Sequence, residues 1–313
     1  MASDNARILV IGAGVNGSIC AAWLSKSGVD VTMLARGKRI GEIETNGLVI
    51  ENALSHKRTV AMVRVIAELA PGDTYDYILV VVRRNQVAEL LPALAANRSP
   101  NVVFMNNNLN GPAEMVAALG AERPMLGFVF AGGRRDGEII RAVGPFDHAL
   151  VPPHFGEIDG TITPRLTRLV KLLNQAGLRS KASRNVVDYL ATHAAGVGAI
   201  APLGIKYGTA TEPVAPSQEE LKLTAAALRE TQTVLKALGH KIVPASQKVL
   251  AVTPVFALAF LFRLFLNSRM GRVAATHGQQ APDELQALAD DLRAAVLCSG
   301  APAPAIRKVL DMK

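Results

Sequence analysis

The chain has 313 residues, of which 50% are hydrophobic and 4% aromatic, and a formal net charge of +8 at pH 7. This length favours two domains with cores of ordinary size. The cations are scattered and lack interleaved aromatic side chains, which favours attraction for an anionic cofactor and substrate over nucleic-acid binding. A solvated basic surface is the alternative.

Cysteine and histidine usage indicates neither a disulfide framework nor a metal site. Cys20 and Cys298 form no ligand pattern, and the six histidines show no zinc spacing. The first residues lack a secretory signal, and the apolar run 249–266 is interrupted by Pro254 and Arg263. We therefore expect a cytoplasmic protein without a metal or a membrane span, in which this run is a buried or dimer-interface helix.

The first predicted element is an apolar strand, residues 8–11, followed by Gly-x-Gly-x-x-Gly and a helix-compatible stretch. This is the dinucleotide-binding fingerprint in its required context, although a glycine turn without a ligand is the alternative. Gly12 permits the turn, Gly14 lets the backbone approach a pyrophosphate, and Gly17 lets the helix pack on the strand. The predicted pyrophosphate-binding residues are Gly12, Ala13, Gly14, Val15, Asn16 and Gly17.

The second predicted strand, residues 29–34, indicates which dinucleotide is bound. NAD-binding proteins place an acidic residue near the end of this strand, where it takes the ribose hydroxyls. This chain has no carboxylate there and instead carries Arg36, Lys38 and Arg39. We therefore predict NADP(H), with Arg36 as the partner of the 2′-phosphate. A solvated basic loop is the alternative.

Further predicted strands complete a doubly wound sheet. Residues 75–82 and 101–105 are nearly continuous apolar runs, as expected of buried parallel strands, with a helix over 86–96 between them. Residues 126–131 and 138–142 are predicted to be antiparallel strands that close the domain. Ligands bind at the carboxyl edge of such a sheet, where both the 83–86 turn and the asparagine-rich 106–111 loop should lie.

The pattern becomes helical in the second half of the chain. The predicted helical segments are 163–176, 185–196, 217–238, 249–266 and 283–299. The predicted class is α/β, with an N-terminal Rossmann-type doubly wound NADP-binding domain over 1–182 and an all-helical domain over 183–313. The helical domain is expected to bind substrate and to form a homodimer.

With these motifs the chain resembles the ketopantoate reductase (2-dehydropantoate 2-reductase) family. The resemblance is carried by the fingerprint, by residues 34–37, by the 83–86 turn, by the asparagine loop 106–109, and by 127–160 with its Gly144-Pro145. It implies a Rossmann domain followed by a helical domain, with the active site in the cleft between them. It also implies reduction of a 2-keto acid to a 2-hydroxy acid by NADPH.

The resemblance assigns further residues of the cofactor-binding domain. It places Arg83, where the family usually has Lys, close to cofactor and substrate, and it makes Gln86 a cofactor contact. Asn107 matches the asparagine beside the nicotinamide, although Asn is also a common turn residue.

In the C-terminal region the resemblance is looser. It runs through Arg269, Met270 and Gly278 to Glu284, which would reach the cofactor ribose. The simpler interpretation of Glu284 is an ordinary acidic helix start.

In the family that the chain resembles, the catalytic helix carries a Lys, an Asn and a second Asn at four-residue spacing, directly before a Pro. The predicted catalytic helix of this chain departs from that pattern. Alignment on Pro202 places His193, Val197 and Ala201 at these positions. His193 would donate the proton to the carbonyl oxygen, and the lost amides argue against ketopantoate as substrate. A packed core histidine is the alternative. Two tyrosines, Tyr189 and Tyr207, are other possible donors.

Three functions remain open from the sequence. The first is an NADPH-dependent reductase of a 2-keto acid or related carbonyl, with His193, Arg83 and Asn107 as catalytic residues. The second is an NADPH-dependent imine reductase, and the third is a non-catalytic NADP(H)-binding sensor. The polar cofactor edge favours an enzyme that acts on a small carbonyl or imine.

Overall fold

A computed structural model describes residues 6–128, 131–143, 152–208, 215–268 and 281–312. The chain divides into two compact units, the first comprising Met1–Asn106 and Pro112–Val186, the second Asn107–Gly111 and Val187–Lys313. The predicted domain boundary after residue 182 lies shortly before the end of the first unit at Val186. The sequence did not predict that the 107–111 segment is grouped with the second unit. Of the residues that carried the resemblance, Gly144, Pro145, Arg269, Met270 and Gly278 lie outside the described residues.

The first unit alternates strands and helices. Its strands are β1 (Arg7–Ile11), β2 (Asp30–Leu34), β3 (Leu48–Asn52), β4 (Arg58–Ala61), β5 (Arg64–Ile66), β6 (Tyr77–Val80), β7 (Val102–Phe104), β8 (Pro124–Gly127), β9 (Gly132–Asp136), β10 (Ile139–Val143), β11 (His154–Glu157) and β12 (Lys181–Ala182). Its helices are α1 (Val15–Lys26), α2 (Arg39–Asn46), a 3₁₀ turn (Arg84–Gln86), α3 (Val87–Ala96), α4 (Ala113–Leu119) and α5 (Pro164–Gln175).

The described part of the second unit consists of helices. They are α6 (Val186–Gly208), α7 (Gln218–Ala237), a 3₁₀ turn (Ala245–Lys248), α8 (Val249–Val252), α9 (Val255–Asn267), α10 (Pro282–Ser299) and α11 (Pro304–Leu310). Thus the predicted α/β class with a helical C-terminal region is confirmed.

The main sheet of the first unit has the order β12-β11-β8-β7-β6-β1-β2-β5. The six neighbouring strands β8, β7, β6, β1, β2 and β5 are parallel to one another. At the other side of β8, β11 runs antiparallel to it. The central residues Ile8, Leu9 and Val10 are fully buried, because helices cover both faces of a parallel sheet. The strand order reverses between β1 and β6, and this reversal is the point at which doubly wound sheets bind their ligands.

The predicted antiparallel pair of 126–131 and 138–142 is wrong. β8 follows the helix α4 and lies parallel to β7, as expected of a β-α-β crossover. The antiparallel partner of β10 is instead β9, across a turn in which Gly137 has φ +59°. This hairpin belongs to a separate four-stranded sheet of order β4-β3-β10-β9.

Two predicted helices have different bounds. The segment 249–266 is divided into α8 and α9 at Pro254, which lacks the N–H that a continuous helix needs. The helix predicted to end at residue 196 continues to Gly208, with Pro202 inside it. Over Val186–Tyr207 this helix is long and apolar enough to cross a membrane, but the core helix of a soluble protein passes the same test, and 61% of the tested window is buried.

Contacts at the turn between β1 and α1 require glycine. Gly12 has φ +108°, and a Cβ there would collide with the carbonyl oxygen of Val81. A Cβ on Gly17 would collide with the carbonyl oxygen of Gly12, so α1 can pack this closely on β1 only without a side chain.

Replacement of Gly17 by Ala should lower the free energy of unfolding of the first unit by about 3 kcal/mol, because a backbone oxygen must move. Gly41 in α2 is a matched control, since a Cβ there meets nothing within 4 Å. Gly41→Ala should leave stability unchanged or raise it by up to about 1 kcal/mol through helix propensity. Urea unfolding followed by circular dichroism measures both changes, and equal stability of the two variants would contradict the packing argument.

Candidate functional site

The glycine turn presents an open backbone surface at the start of α1. Gly14 is the N-cap residue, its side-chain position has nothing within 4 Å, and the first helical turn contains no acidic residue. No side chain caps the helix, so its first amide groups remain available to an anion. The turn therefore fits a pyrophosphate in shape and in charge.

Asn16 adds an unsatisfied acceptor to this turn. Its Oδ1 atom is buried and accepts no hydrogen bond from any described residue. Buried amide oxygens in folded proteins are almost always paired, so this atom is suited to a donor from a bound ligand or a water molecule.

The three cations after β2 have different roles. Arg36 is exposed and makes no hydrogen bond or ion pair with the described residues. Arg39 is only 4% exposed, and its Nη1 donates to Glu42 Oε2 and to the carbonyl oxygen of Glu138, both at 3.1 Å. Arg39 therefore holds α2 in place, whereas Arg36 and Lys38 are the exposed cations of this segment.

The turn after β6 lies beside the glycine turn. The amide of Val81 donates to the carbonyl oxygen of Ile11 at 2.8 Å, which joins the ends of β6 and β1. Arg83 is half-buried at this edge, and its backbone amide donates to Gln86 Oε1 at 3.2 Å. Gln86 thus shapes the turn through its side-chain oxygen, while Arg83 places a guanidinium group at the carboxyl edge of β6.

In the second unit, Asn107 and Glu284 form a buried pair. Asn107 Nδ2 donates to Glu284 Oε1 at 3.0 Å, and the two side chains are 8% and 5% exposed. Glu284 lies in the first turn of α10, as an acidic helix start does. Its burial and its bond to Asn107 distinguish it from a solvated acidic cap.

His193 belongs to the same cluster. Its ring is half-buried on α6, and desolvation lowers the pKa of the imidazole from 6.5 to about 4, against the opposing charge of Glu284. The imidazole is therefore neutral at pH 7. We call His193, Glu284 and Asn107 the acid–base cluster.

The side chains that follow His193 on its helix are apolar. Val197 is half-buried and packs against core residues of the second unit, and Ala201 is 1% exposed. Of the alternative donors, Tyr207 donates its hydroxyl to Glu220 Oε2 at 2.6 Å, and burial raises the pKa of Tyr189. Neither tyrosine is as well suited to proton transfer as His193. Among the described residues no group of three or more His, Cys, Asp or Glu could hold a metal ion.

The depressed pKa of His193 predicts a loss of stability in acid. Below pH 6.5 the unfolded chain binds a proton at this ring that the folded chain accepts only near pH 4. Stability should therefore fall as the pH falls through this window, by up to about 3 kcal/mol.

A His193→Gln variant tests this assignment by urea unfolding at a series of pH values. The variant should lose less stability than the wild type between pH 6.5 and pH 4. His154, whose pKa is also lowered by burial, contributes equally to both proteins. Identical pH dependence of the two proteins would show that the ring of His193 is not desolvated.

Comparisons with known proteins show which proteins this chain is similar to. The family model for ketopantoate reductase PanE/ApbA matches residues 8–150. A 2-dehydropantoate 2-reductase of Pyrococcus horikoshii is 26% identical over 202 residues, and the match spans 63% of each protein. The alignment thus covers less than two thirds of that relative's length.

Solved structures agree over nearly the whole chain. A ketopantoate reductase described as putative, from Ralstonia solanacearum MolK2, superposes with a TM-score of 0.73 at 20% identity, covering 98% of this chain and 96% of that one. A D-mandelate dehydrogenase in a ternary structure with NADH and anilino(oxo)acetate gives a TM-score of 0.75 at 14% identity, with the same coverage. These likenesses show the shared fold, and the sequence matches show that residues 8–150 are similar to the ketopantoate reductase family.

Proposed function

We propose that the protein is an NADPH-dependent reductase that converts a 2-keto acid or a related carbonyl compound with an apolar side chain into the alcohol. The observation that carries this proposal is the acid–base cluster, in which Asn107 and Glu284 are hydrogen-bonded and the charge of Glu284 acts on His193. A chain that served only to bind a nucleotide would have no need of a buried carboxylate and imidazole together.

The choice of NADPH rests on Arg36. No carboxylate follows β2 to bind the ribose hydroxyls, and the guanidinium of Arg36 is exposed and unpaired within the described part of the chain. Guanidinium groups bind phosphate oxygens in bidentate geometry, so a 2′-phosphate is a suitable partner. The D-mandelate dehydrogenase structure holds NADH. If Arg36 binds a 2′-phosphate, this protein and that dehydrogenase therefore use different cofactors.

A reduced nicotinamide supplies a hydride when bound. A ring nitrogen of His193 would supply the proton that the substrate's carbonyl oxygen takes up when the electron pair of the C=O π bond moves onto it. Because the imidazole is neutral at pH 7, protonation needs support from the Glu284 carboxylate. In the reverse direction the neutral ring accepts the proton from the alcohol.

The substrate class is inferred from the side chains at positions that the family resemblance assigns to the site. Arg83 offers a guanidinium group, which suits the carboxylate of a 2-keto acid. Val197 and Ala201 cannot hydrogen-bond a hydroxyl group on the substrate, and an unpaired buried hydroxyl costs about 1–3 kcal/mol. A 2-keto acid with an aromatic or branched apolar side chain therefore fits better than ketopantoate.

Imine reduction is a second candidate that one observation favours. A protonated imine needs no acid from the protein, and the Glu284 carboxylate beside a neutral His193 would stabilise its positive charge. Carbonyl reduction requires His193 to be protonated, whereas iminium reduction does not. The two functions therefore differ in how they depend on pH.

Cofactor preference is tested with Arg36→Asp. The loss of a charge-assisted phosphate contact should weaken NADPH binding roughly 10- to 100-fold, while NADH binding changes little. Lys26→Asp is the control, because it makes the same charge change at the exposed far end of α1. Isothermal titration calorimetry gives the dissociation constants of NADPH and NADH for each protein, and equal losses for the two cofactors would remove Arg36 from the 2′-phosphate site.

The proton donor is tested by the pH dependence of kcat/KM with 2-oxo-2-phenylacetate and a cyclic imine as substrates. With the pKa of His193 at about 4, the rate of keto acid reduction should fall about tenfold per pH unit between about pH 5 and pH 8. Oxidation of the 2-hydroxy acid, which needs the neutral ring, should be flat over this range. His193→Ala should lower kcat/KM for keto acid reduction by about 10²- to 10⁴-fold and abolish its dependence on pH. His193→Lys should restore a proton donor.

Other results of this experiment would change the proposed function or the role of His193. Keto acid reduction that survives in His193→Ala would keep the enzyme and discard His193 as the acid. Turnover of the imine alone, with no slope, would establish the second candidate. Tight NADPH binding without any turnover would leave a non-catalytic NADP(H)-binding sensor.

A further inference from the structure

A cleft in the first unit lies apart from the residues that the resemblance assigns to the cofactor. It has a volume of about 500 Å³ and is bordered by the last turn of α1, the end of α5 and the strand β4. Because α1 has 12 residues, it is about 18 Å long, and the cleft lies at the opposite end of this helix from the glycine turn. Its volume is within the range of small-molecule sites, about 300–1,000 Å³.

The charged side chains that line this cleft are all cationic. Lys26 lies in the last turn of α1, where it offsets the partial negative charge of the helix end. Lys57 is exposed and makes no hydrogen bond or ion pair with the described residues. Arg58 Nε donates to Glu51 Oε2 at 2.8 Å, but Arg141 shares that carboxylate, with its Nε 3.2 Å from Oε1. An excess of positive charge therefore remains, and the cleft attracts an anion.

The single tryptophan of the chain lines the same cleft. Trp23 is half-buried, because it packs against the main core and also contributes to the wall of the cleft. Gly177 passes beside the indole without a side chain, since a Cβ there would lie 3.7 Å from Cδ1 of the ring. Val60, which is 51% exposed, adds a second apolar side chain. These groups suit a flat aromatic ring, which stacks on an indole.

The cleft also offers neutral hydrogen-bonding groups. The side chains of Thr59 and Gln175 line it and make no hydrogen bond with the described residues. A hydroxyl and an amide can each donate and accept, which suits the hydroxyl groups of a sugar. Cations for a phosphate, an indole for a base and neutral groups for a sugar together form the chemistry that recognises a nucleoside monophosphate.

We propose that this cleft binds a nucleoside monophosphate, separately from the dinucleotide site at the glycine turn. Lys57 and the outer guanidinium nitrogens of Arg58, which make no other bond with the described residues, hold the phosphate. The base stacks on Trp23, and because every base has a π-face, the stack tolerates different bases.

Tryptophan fluorescence tests the site, because Trp23 is the only tryptophan in the chain. GMP is the probe, since its guanine differs from the adenine of the dinucleotides. Titration with GMP should quench the fluorescence and saturate, with a dissociation constant below about 1 mM. Guanosine as a quencher, and inorganic phosphate as a competitor of GMP, should each bind at least about tenfold more weakly, because each makes only part of the contacts.

A charge reversal tests the phosphate contact. Lys57→Glu should weaken GMP binding at least about tenfold, because a cation of the cleft is replaced by a carboxylate. Lys236→Glu is the matched control, since Lys236 is also exposed but lies on α7 in the second unit. It should bind GMP as the wild type does. Both variants replace exposed side chains, and unchanged circular dichroism would confirm that they fold.

Fluorescence that does not change up to about 5 mM GMP would overturn the proposal, as would equal dissociation constants for wild type and Lys57→Glu. Inorganic phosphate that displaces GMP at the dissociation constant of GMP itself would show an anion site that makes no use of the ring, and would also overturn it. So would full displacement by NADP⁺ with Lys57→Glu unaffected, which would place GMP at the dinucleotide site. The titration needs neither NADPH nor turnover, so its outcome is separate from that of the proposed reductase activity.

Discussion

The close approach of three backbone segments at the β1–α1 turn is the constraint on which the architecture of the first unit depends. Gly12 lies against Val81 at the end of β6, and Gly17 lies against Gly12, so a side chain at either glycine would push these segments apart. Their contact fixes α1 on the sheet at the reversal of strand order. It also leaves the first amides of α1 and the carboxyl ends of β1 and β6 together at one edge, where a dinucleotide can be held.

The sequence predicted this part of the fold well because its signals are local. An apolar strand, a glycine turn and a helix start are adjacent in the chain, and the buried strands are nearly continuous apolar runs. The assignment of β8 and β10 to different sheets was missed, because strand partners depend on long-range register rather than on local pattern. The role of Arg39 was missed for the same reason, since its partner Glu138 is distant in the chain.

The acid–base cluster shows what a sequence can and cannot reveal about a site. Asn107 and Glu284 are 177 residues apart, and each alone reads as an ordinary turn residue or helix start. Only a resemblance to a family suggested that both belong to one site. The neutrality of His193 at pH 7 could not be predicted at all, because it results from desolvation in the folded chain.

In the proposed reaction, the desolvation that lowers the pKa of His193 also bears on substrate choice. The apolar side chains on its helix deprive an imidazolium of water, so the protonated ring must be stabilised by negative charge nearby. Glu284 supplies one such charge, and the carboxylate of a bound 2-keto acid would supply a second, whereas a neutral ketone would supply none. The proton donor would then become effective mainly when an acidic substrate is present. An apolar site with a histidine donor would thereby select anionic carbonyl compounds through the protonation state of the donor itself, in addition to direct contacts with the carboxylate.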